Sequence, residues 1–236
     1  MKLTILGNRG PLPLPGEACS AYLLESGDHA LLIDAGSASL PHLLEYRKLT
    51  ELDAVILSHL HFDHCSDALV MQYSTKAHPL PLYCPAEPAA VLSDLTGFDG
   101  FIAREAREGE TVEIGPFTVT FGPAKHPVPC LSVKVEAEGK AFGYTGDSND
   151  CSDQEDFFSG VDLLLADAGM TEAAWKLFSP HRTPAMCGKL AQEAGAKMLV
   201  LSHFGPTQTP DAAEAEAAQC FSGAVVGARV HAQFLI

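Results

Sequence analysis

Four potential metal ligands lie within six residues, in the segment His59-Leu-His61-Phe-Asp63-His64. This segment directly follows the apolar run Asp53-Ala-Val-Ile-Leu-Ser58, which is typical of a buried strand. Side chains that follow a strand emerge at one edge of a sheet, where a loop can turn them toward one point. Imidazole nitrogen and carboxylate oxygen are ligands that zinc prefers, at about 2.0 to 2.2 Å. The segment therefore predicts a metal site at a strand end, against the alternative of a polar loop without a metal.

The spacing within this segment allows two metal ions. The alternate residues His59 and His61 can hold one ion, while the adjacent Asp63 and His64 point elsewhere and can hold a second. A pair of ions about 3.5 to 4 Å apart can activate a water and clamp a substrate between them. The spacing thus favours hydrolytic chemistry.

Short strand-like runs and helical segments alternate along the rest of the chain. The order predicts two mixed sheets packed together with helices outside them, an α/β fold in the form of a four-layer αββα sandwich. With no internal repeat or charged linker, residues 1–236 are predicted to form one domain. The predicted strands are 3–7, 21–25, 30–34, 54–58, 82–84, 111–114, 117–121, 131–135, 141–145, 163–166, 198–202 and 228–234. The predicted helices are 66–75, 87–95, 184–194 and 211–221.

Composition excludes several classes of function. The formal charge is -15 and the basic residues are dispersed, so we expect no large nucleic-acid partner. No stretch approaches the roughly 18 apolar residues of a membrane span, so we expect no membrane partner. The seven cysteines are odd in number and show no C-x-x-C spacing, which is typical of free thiols in a reducing compartment. These features predict a soluble cytoplasmic protein.

The metal-binding segment resembles the H-x-H-x-D-H signature of the metallo-β-lactamase superfamily. Further motifs resemble the landmarks of that family and occur in its order: Leu32-Ile33-Asp34-Ala35-Gly36, Ala124-Lys125-His126-Pro127, Tyr144-Thr145-Gly146-Asp147-Ser148 and Leu201-Ser202-His203-Phe204. The resemblance implies two metal ions per chain, with the following ligands: His59, His61 and His126 for the first, Asp63, His64 and His203 for the second, and Asp147 bridging both. It also implies that Asp34 orients ligands through hydrogen bonds, although a strand-ending turn is an alternative role for Asp34.

The resemblance also indicates which metal and which chemistry to expect. Di-iron flavoprotein relatives carry a Glu where this chain has His61, so a hydrolytic Zn²⁺ pair is favoured. Mn²⁺ or Fe could also occupy such ligands, because ligand type does not by itself determine the metal.

A second segment, Ser179-Pro180-His181-Arg182-Thr183-Pro184, is similar to the His-Ser-Thr loop of the ribonuclease Z-like branch, with Arg182 where Ser is usual. The resemblance implies that His181 protonates the leaving oxygen. Asp167 matches the position of a supporting carboxylate that is Glu in many relatives, so whether the shorter side chain reaches His181 is open. The predicted catalytic residues are His181, Asp167 and Asp63.

We therefore expect a metal-dependent phosphodiesterase that acts on small phosphodiesters or nucleotides. The alternatives are an acyl hydrolase for lactones or thioesters, a tRNA 3′-processing endoribonuclease and a metal-binding scaffold without turnover. The chain lacks the inserted basic, Gly-rich arm that tRNA-processing relatives carry. A homodimer is the expectation at the level of the family. Five basic residues are candidates to hold a phosphate: Arg9, Arg104, Arg107, Lys125 and Arg182.

Overall fold

A computed structural model of the protein describes all residues, 1–236, and contains two seven-stranded mixed sheets. The fourteen strands are β1 (Lys2–Gly7), β2 (Ala21–Ser26), β3 (His29–Ala35), β4 (Ala54–Ile56), β5 (Leu80–Cys84), β6 (Phe101–Glu105), β7 (Thr111–Ile114), β8 (Phe117–Gly122), β9 (Ser132–Ala137), β10 (Lys140–Tyr144), β11 (Leu163–Asp167), β12 (Met198–Ser202), β13 (Ala224–Gly227) and β14 (Gln233–Leu235). The helices are α1 (Ser39–Leu44), α2 (Phe62–Thr75), α3 (Ala89–Thr96), α4 (Asp153–Phe157), α5 (Pro184–Glu193) and α6 (Pro210–Ala217).

The two sheets are built in the same way, each with a parallel and an antiparallel part. The first sheet has the order β14-β1-β2-β3-β4-β5-β6 and is parallel from β3 to β6. The second has the order β13-β12-β11-β10-β9-β8-β7 and is parallel from β13 to β10. This arrangement confirms the predicted αββα sandwich.

Apolar side chains alternate between the two faces of each strand, and this alternation produces two separate cores. A cluster of 40 buried residues fills the space between the sheets and extends beneath α5 and α6. A second cluster, of 20 residues, lies between the first sheet and helices α1 to α3. Leu31 and Ile33 of β3 belong to the first cluster, whereas their neighbours Ala30 and Leu32 belong to the second. The period of two in the sequence therefore determines which layer each side chain enters.

Two tyrosines connect the sheets in the buried layer beside the functional site. Tyr22 of β2 and Tyr144 of β10 meet edge to face, with ring centroids 5.1 Å apart. The Tyr22 hydroxyl lies 2.8 Å from Ser202 Oγ, and the Tyr144 hydroxyl donates to Asp34 Oδ2 at 2.7 Å. Each hydroxyl thus bonds to a residue of the opposite sheet, which satisfies a polar group that would be costly to bury alone.

The predicted strands are largely correct, but the last one, 228–234, is wrong. The structure has two short strands instead, β13 beside β12 and β14 beside β1, on opposite sheets. Between them His231 adopts a left-handed conformation with φ of 67°, which redirects the chain. The region 96–110, where no strand or helix was predicted, contains β6. Only Phe101 of that edge strand is buried, so its sequence carries little apolar signal.

Helices also differ from their predicted bounds in one place that affects function. Helix α2 begins at Phe62 instead of residue 66, so that the predicted loop residues Asp63 and His64 lie on its first turn. Helix α5 begins as predicted at Pro184, where the Thr183 hydroxyl accepts a hydrogen bond from the Met186 N–H. None of the helices is both long and apolar enough to cross a membrane.

Candidate metal centre

The carboxyl ends of strands from both sheets meet at one edge of the sandwich. Ser58 and His59 follow β4 in the first sheet, while Asp147 follows β10 and His203 follows β12 in the second. Asp34 lies near the end of β3. Such an edge is where loops can bring side chains from several strands to one point, and ligands bind there in many α/β proteins.

Three imidazoles form the first group, which consists of His59, His61 and His126. His59 Nε2 lies 3.0 Å from His61 Nδ1, and His126 Nε2 lies 3.1 Å from the same atom. Nitrogen ligands of one tetrahedral zinc, each about 2.0 to 2.1 Å from the ion, stand about 3.3 Å apart. The three nitrogens therefore have the separation of ligands that share one metal.

A second group consists of Asp63, His64, Asp147 and His203. His203 Nε2 lies 3.8 Å from Asp63 Oδ2 and 3.4 Å from Asp147 Oδ2. His64 Nε2 lies 3.7 Å from Asp63 Oδ2. Because Asp63 and His64 belong to the first turn of α2, a helix holds them more firmly than the predicted loop would.

Asp147 lies between the two groups. Its Oδ2 is 3.2 Å from His64 Nε2 in the second group and 3.7 Å from His59 Nε2 in the first. One carboxylate therefore approaches ligands of both groups, which is the position that a residue bridging two metals must occupy.

Two buried polar atoms in this cluster have no hydrogen-bond partner, and they test whether a metal fits. These atoms are His64 Nε2 and Asp147 Oδ1. Burying a polar atom without a partner costs free energy, and few such atoms occur in native proteins. Divalent cations held by these groups would satisfy both atoms, and the His and Asp donor set suits zinc. The residues present therefore fit a metal pair.

The electrostatics of the cluster keep three of the imidazoles neutral, as metal ligation requires. Burial lowers the pKa of His59, His126 and His203. Burial also opposes ionisation of Asp147, but the neighbouring histidines, His203 first, outweigh it and hold the pKa of that carboxyl well below its usual range. His64 is the exception: burial opposes its charge, yet Asp147 and Asp34 raise its pKa well above the usual value. A metal must therefore displace a proton from His64.

Asp34 positions the second group through hydrogen bonds. Its carboxylate is fully buried and accepts from the Ser58 N–H at 2.8 Å, the Ser58 hydroxyl at 3.0 Å and the Tyr144 hydroxyl at 2.7 Å. His64 Nδ1 lies 2.8 Å from Asp34 Oδ2, so the ring donates from Nδ1 and leaves Nε2 for a metal. Asp34 also has a left-handed φ of 56°, a conformation that costs about 1–3 kcal/mol and occurs preferentially at functional sites.

His203 is held by residues that the sequence did not reveal. Ser20 Oγ lies 2.9 Å from His203 Nδ1 and so orients the ring. Gly10 packs directly on that ring, because a Cβ at this position would lie 2.0 Å from His203 Cε1 and Nε2. Neither residue belongs to a motif, and both are far from His203 in the chain. Tyr144 belongs to the motif that contains Asp147, but nothing in the sequence indicated its bond to Asp34.

His181 and Asp167 form a pair at the edge of the cluster. His181 Nδ1 lies 2.9 Å from Asp167 Oδ2 and 3.7 Å from Asp147 Oδ2, and the His181 side chain keeps 18% of its surface exposed. The shorter Asp thus reaches the histidine. Asp167 is itself fixed, because its carboxylate accepts from the Ser148 and Gly169 N–H groups at 3.0 and 2.9 Å. Burial lowers the pKa of His181, but Asp167 and Asp147 outweigh it and raise that pKa to about 9.

Three of the five candidate phosphate-binding cations are engaged in the structure of the protein. Arg9 pairs with Glu17 at 2.6 Å and bonds to backbone carbonyls, and Arg107 pairs with Glu105 at 2.6 Å. Arg182 is only 1% exposed and donates to the Ser148 carbonyl. A substrate cannot reach this side chain, so its candidate role in phosphate binding is wrong. Lys125 and Arg104 are exposed and form no ion pair. Of these two, Lys125 adjoins His126.

Comparisons with known proteins concern the family and the fold of the chain. Residues 29–204 match the family described as Beta-lactamase superfamily domain. The chain is 32% identical to the probable metallo-hydrolase YhfI of Bacillus subtilis over 95% of this chain and 96% of that protein. The crystal structure of YhfI, a metallo-beta-lactamase fold protein, superposes with a TM-score of 0.94 at 33% identity and covers 99% of both chains.

Two more distant relatives are ribonucleases. The chain is 25% identical to ribonuclease Z of Mycobacterium tuberculosis over 98% of this chain and 97% of that protein. The short form of human tRNase Z has a TM-score of 0.81 at 19% identity, over 100% of this chain and 99% of that chain. The second likeness shows the fold alone.

Proposed function

The chain belongs to the beta-lactamase superfamily domain family and is a metallo-hydrolase of that fold, and we propose that it is a two-metal phosphodiesterase for small phosphodiesters or nucleotides. In this proposal two Zn²⁺ ions are bound, with Mn²⁺ or Fe as alternatives. His59, His61 and His126 hold the first ion, Asp63, His64 and His203 hold the second, and Asp147 contacts both. The distances among their ligand atoms and the two unpartnered buried atoms support this assignment.

When bound, such a metal pair supplies an activated water as nucleophile at neutral pH and neutralises negative charge on the attacked group. The residues of the chain supply the rest of the chemistry. Asp63 and Asp147 supply carboxylate oxygens to the ligand set, and Asp34 keeps His64 in the tautomer that leaves Nε2 free. His181 holds a proton at the edge of the site.

The His181–Asp167 pair is the observation that favours a phosphodiester as the substrate. Hydrolysis of an alkyl phosphodiester expels an alkoxide, which leaves slowly unless an acid protonates it. Asp167 fixes His181 through Nδ1 and keeps the ring protonated at neutral pH, with a pKa of about 9. Metal cations nearby would lower that pKa toward neutrality, where a general acid works best. The partial exposure of the ring allows a leaving group to approach it.

An acyl hydrolase would not need this acid to the same degree, and the difference suggests the experiment. We would measure hydrolysis of bis(p-nitrophenyl) phosphate, a cyclic nucleotide and a simple lactone by Zn²⁺-loaded or Mn²⁺-loaded wild type and His181→Ala, with metal content recorded. General acid catalysis contributes about 10²- to 10⁴-fold. His181→Ala should therefore lower cyclic nucleotide hydrolysis by about that factor. Its effect on bis(p-nitrophenyl) phosphate should be much smaller, because p-nitrophenolate leaves without protonation.

His78→Ala is the matched control, since His78 is exposed and lies outside the site. It should leave all three activities unchanged. Lactone hydrolysis without phosphodiester hydrolysis, and indifferent to His181→Ala, would replace the proposal with an acyl hydrolase. Absence of turnover with every ester would favour a metal-binding scaffold.

A tRNA 3′-processing activity is the remaining alternative, because ribonucleases Z are among the relatives. The charge of -15 argues against a large polyanion, since phosphate contacts depend on Lys and Arg. The stretch between Asp147 and His181 holds α4, β11 and short connections, with no added arm. Cleavage of a tRNA precursor at physiological salt would overturn the preference for small substrates.

We also propose that residues 1–236 form one domain that works in the cytoplasm. The inter-sheet core contains residues from both halves of the chain, and all seven cysteines are unpaired. A homodimer stays a prediction that light scattering can test.

A further inference from the structure

A pocket of about 150 Å³ lies directly beside the metal centre and plays no part in the chemistry described above. One wall is the stretch from Lys125 to Pro127, which includes the metal ligand His126. The other wall is the stretch from Leu177 to Pro180, just before His181. A group bound in this pocket would therefore contact neighbours of both the metal site and the general acid.

The wall from Leu177 to Pro180 presents an unusually exposed aromatic ring. Phe178 is 92% exposed and Leu177 beside it is 64% exposed. A single exposed apolar residue is ordinary. Here, however, the planar Phe178 ring lines a pocket beside the candidate metal centre, where a planar group of a substrate can stack on it.

This wall is fixed in place by hydrogen bonds. Asn149, only 2% exposed, donates to the Leu177 carbonyl at 3.0 Å and accepts from Trp175 Nε1 at 3.1 Å. Further along, the Pro180 carbonyl lies 3.2 Å from His126 Nδ1. The backbone that carries Phe178 is thus tied on both sides, so that little ordering cost would oppose binding.

The opposite wall contributes a free positive charge. Lys125 is exposed and forms no ion pair. Its backbone is fixed, since its N–H donates to Ser148 Oγ at 3.0 Å and its carbonyl accepts from the Asn149 N–H at 2.9 Å. In a chain with a formal charge of -15, an unpaired lysine next to a metal ligand marks the side of the site that favours an anion.

The pocket on the other side of His126 has the opposite character. It measures about 510 Å³, and its charged lining consists of Glu87, Glu105, Glu108 and Arg107. Because Arg107 pairs with Glu105, two carboxylates stay uncompensated there. A phosphorylated group is therefore repelled from that pocket and directed toward Lys125.

We propose that the pocket between Lys125 and Phe178 binds the nucleobase side of the substrate, with the base stacked on Phe178 and the anionic phosphate attracted by Lys125. This inference rests on the proposed phosphodiesterase function and narrows its substrates to nucleotides. Stacking of a base on an aromatic side chain contributes about 5- to 150-fold in affinity and tolerates different bases. The pocket should therefore favour nucleotides over diesters without a base, with little choice among bases.

The first test compares two substrates that differ in the base. We would measure kcat/KM of the Zn²⁺-loaded enzyme for 3′,5′-cyclic AMP and for methyl ribofuranoside 3′,5′-cyclic phosphate, in which a methoxy group replaces the base. Phe178→Ala should lower the first value about 5- to 150-fold and leave the second unchanged, while Phe178→Tyr should restore the first. Lys125→Ala should lower kcat/KM for both substrates. Tyr73→Ala and Lys76→Ala, which remove an exposed aromatic ring and an exposed lysine outside the pocket, should change neither.

The second test measures binding without turnover. Titration calorimetry of Zn²⁺-loaded protein should show that AMP binds more tightly than ribose 5-phosphate, which lacks the base, and that Phe178→Ala removes this difference. If phosphodiesters are hydrolysed but Phe178→Ala affects neither substrate selectively, the subsite is wrong and the proposed function stands. If no phosphodiester is hydrolysed but the base-dependent binding is found and depends on Phe178, the subsite stands and the proposed function fails. Equal binding of AMP and ribose 5-phosphate overturns the inference.

Discussion

Replacing Asp34 with asparagine exchanges a carboxylate for an amide in the buried layer beside the proposed metal centre and keeps the size of the side chain. The wild-type carboxylate accepts from the Ser58 N–H, the Ser58 hydroxyl, the Tyr144 hydroxyl and His64 Nδ1, at 2.7 to 3.0 Å. An asparagine can keep the bond from the Ser58 N–H through Oδ1. Its amide nitrogen would then face the other three donors.

The magnitude follows from what those donors can do. The two hydroxyls can rotate and accept from the new amide, but His64 cannot do so without moving its own proton. Hydrogen bonds to charged groups contribute about 1.5–3 kcal/mol each. With one such bond lost and two weakened, we expect Asp34→Asn to lower the free energy of unfolding of the metal-free protein by about 3 kcal/mol.

The effect on metal binding is selective. If the new amide donates to His64 Nδ1, the ring proton moves to Nε2 and blocks the atom that faces the metal. Loss of such an orienting partner typically weakens metal affinity about 10- to 100-fold. Only the ion held by Asp63, His64 and His203 should weaken, whereas the ion held by His59, His61 and His126 should bind nearly as before.

Two assays measure these effects. Zinc titration of metal-free protein against a chromogenic chelator should give two tight equivalents for wild type and one tight, one weak for Asp34→Asn. Urea unfolding in the presence of a chelator gives the stability difference. Asp53→Asn is the control, because the Asp53 carboxylate also accepts hydrogen bonds but is 28% exposed and distant from the ligands. Two unchanged zinc equivalents in Asp34→Asn would refute the assigned role of that carboxylate.

Three further predictions concern Gly10, Asp162 and His64. Gly10→Ala should reduce the number of bound zinc ions from two to one in native mass spectrometry, because its Cβ would lie 2.0 Å from the His203 ring; retention of both would contradict this packing argument. Asp162→Asn should destabilise the protein by about 1 kcal/mol near neutral pH. Burial opposes ionisation of Asp162, but hydrogen bonds from Lys197, the Ala141 N–H and Lys140 lower the pKa of Asp162 to about 2. The stabilisation is therefore present above about pH 4 and is lost as the pH falls through 2. The urea midpoints of wild type and Asp162→Asn should therefore converge in acid, and a constant difference would exclude the ion pair as the cause. Zinc binding should release protons, because the pKa of His64 lies well above its usual value of 6.5 without metal. Apparent zinc affinity should therefore keep rising with pH above that usual value, and calorimetry in buffers of different ionisation enthalpy that shows no proton release would refute this.

Much of the fold was predictable because the strands carry a strong local signal. Runs such as Leu31 to Ile33 are apolar, β-branched in part and bounded by turn residues, and both sheets were inferred from them. The edge strand β6 was missed, since four of its five residues are exposed and resemble a polar loop. The end of the chain was wrong for a related reason: one apolar segment divides at His231 between two different sheets, and only tertiary pairing decides where it divides.

The candidate ligands were predictable because each lies in a short motif that resembles a landmark of the metallo-β-lactamase superfamily. Residues that act through the ligands were not. Ser20 contacts His203 across 183 positions of the chain, and Tyr144 contacts Asp34 across 110 positions. Such pairs leave no trace in a single sequence. The reach of Asp167 toward His181 was open for the same reason, because it depends on how closely β11 approaches the loop before α5.

The proposed metal ligands are divided between the two sheets, and this division affects which substitutions the core tolerates. His59 and His64 are attached to the first sheet and Asp147 and His203 to the second, while zinc accepts ligand distances only within about 0.2 Å. The spacing between the sheets is set by side chains such as Tyr22 and Tyr144 in the shared core. A substitution there could shift one sheet by a few tenths of an ångström without unfolding the protein. Metal occupancy would then depend closely on the distance between the sheets. Selection for catalysis would therefore restrict substitutions at core residues that no substrate contacts.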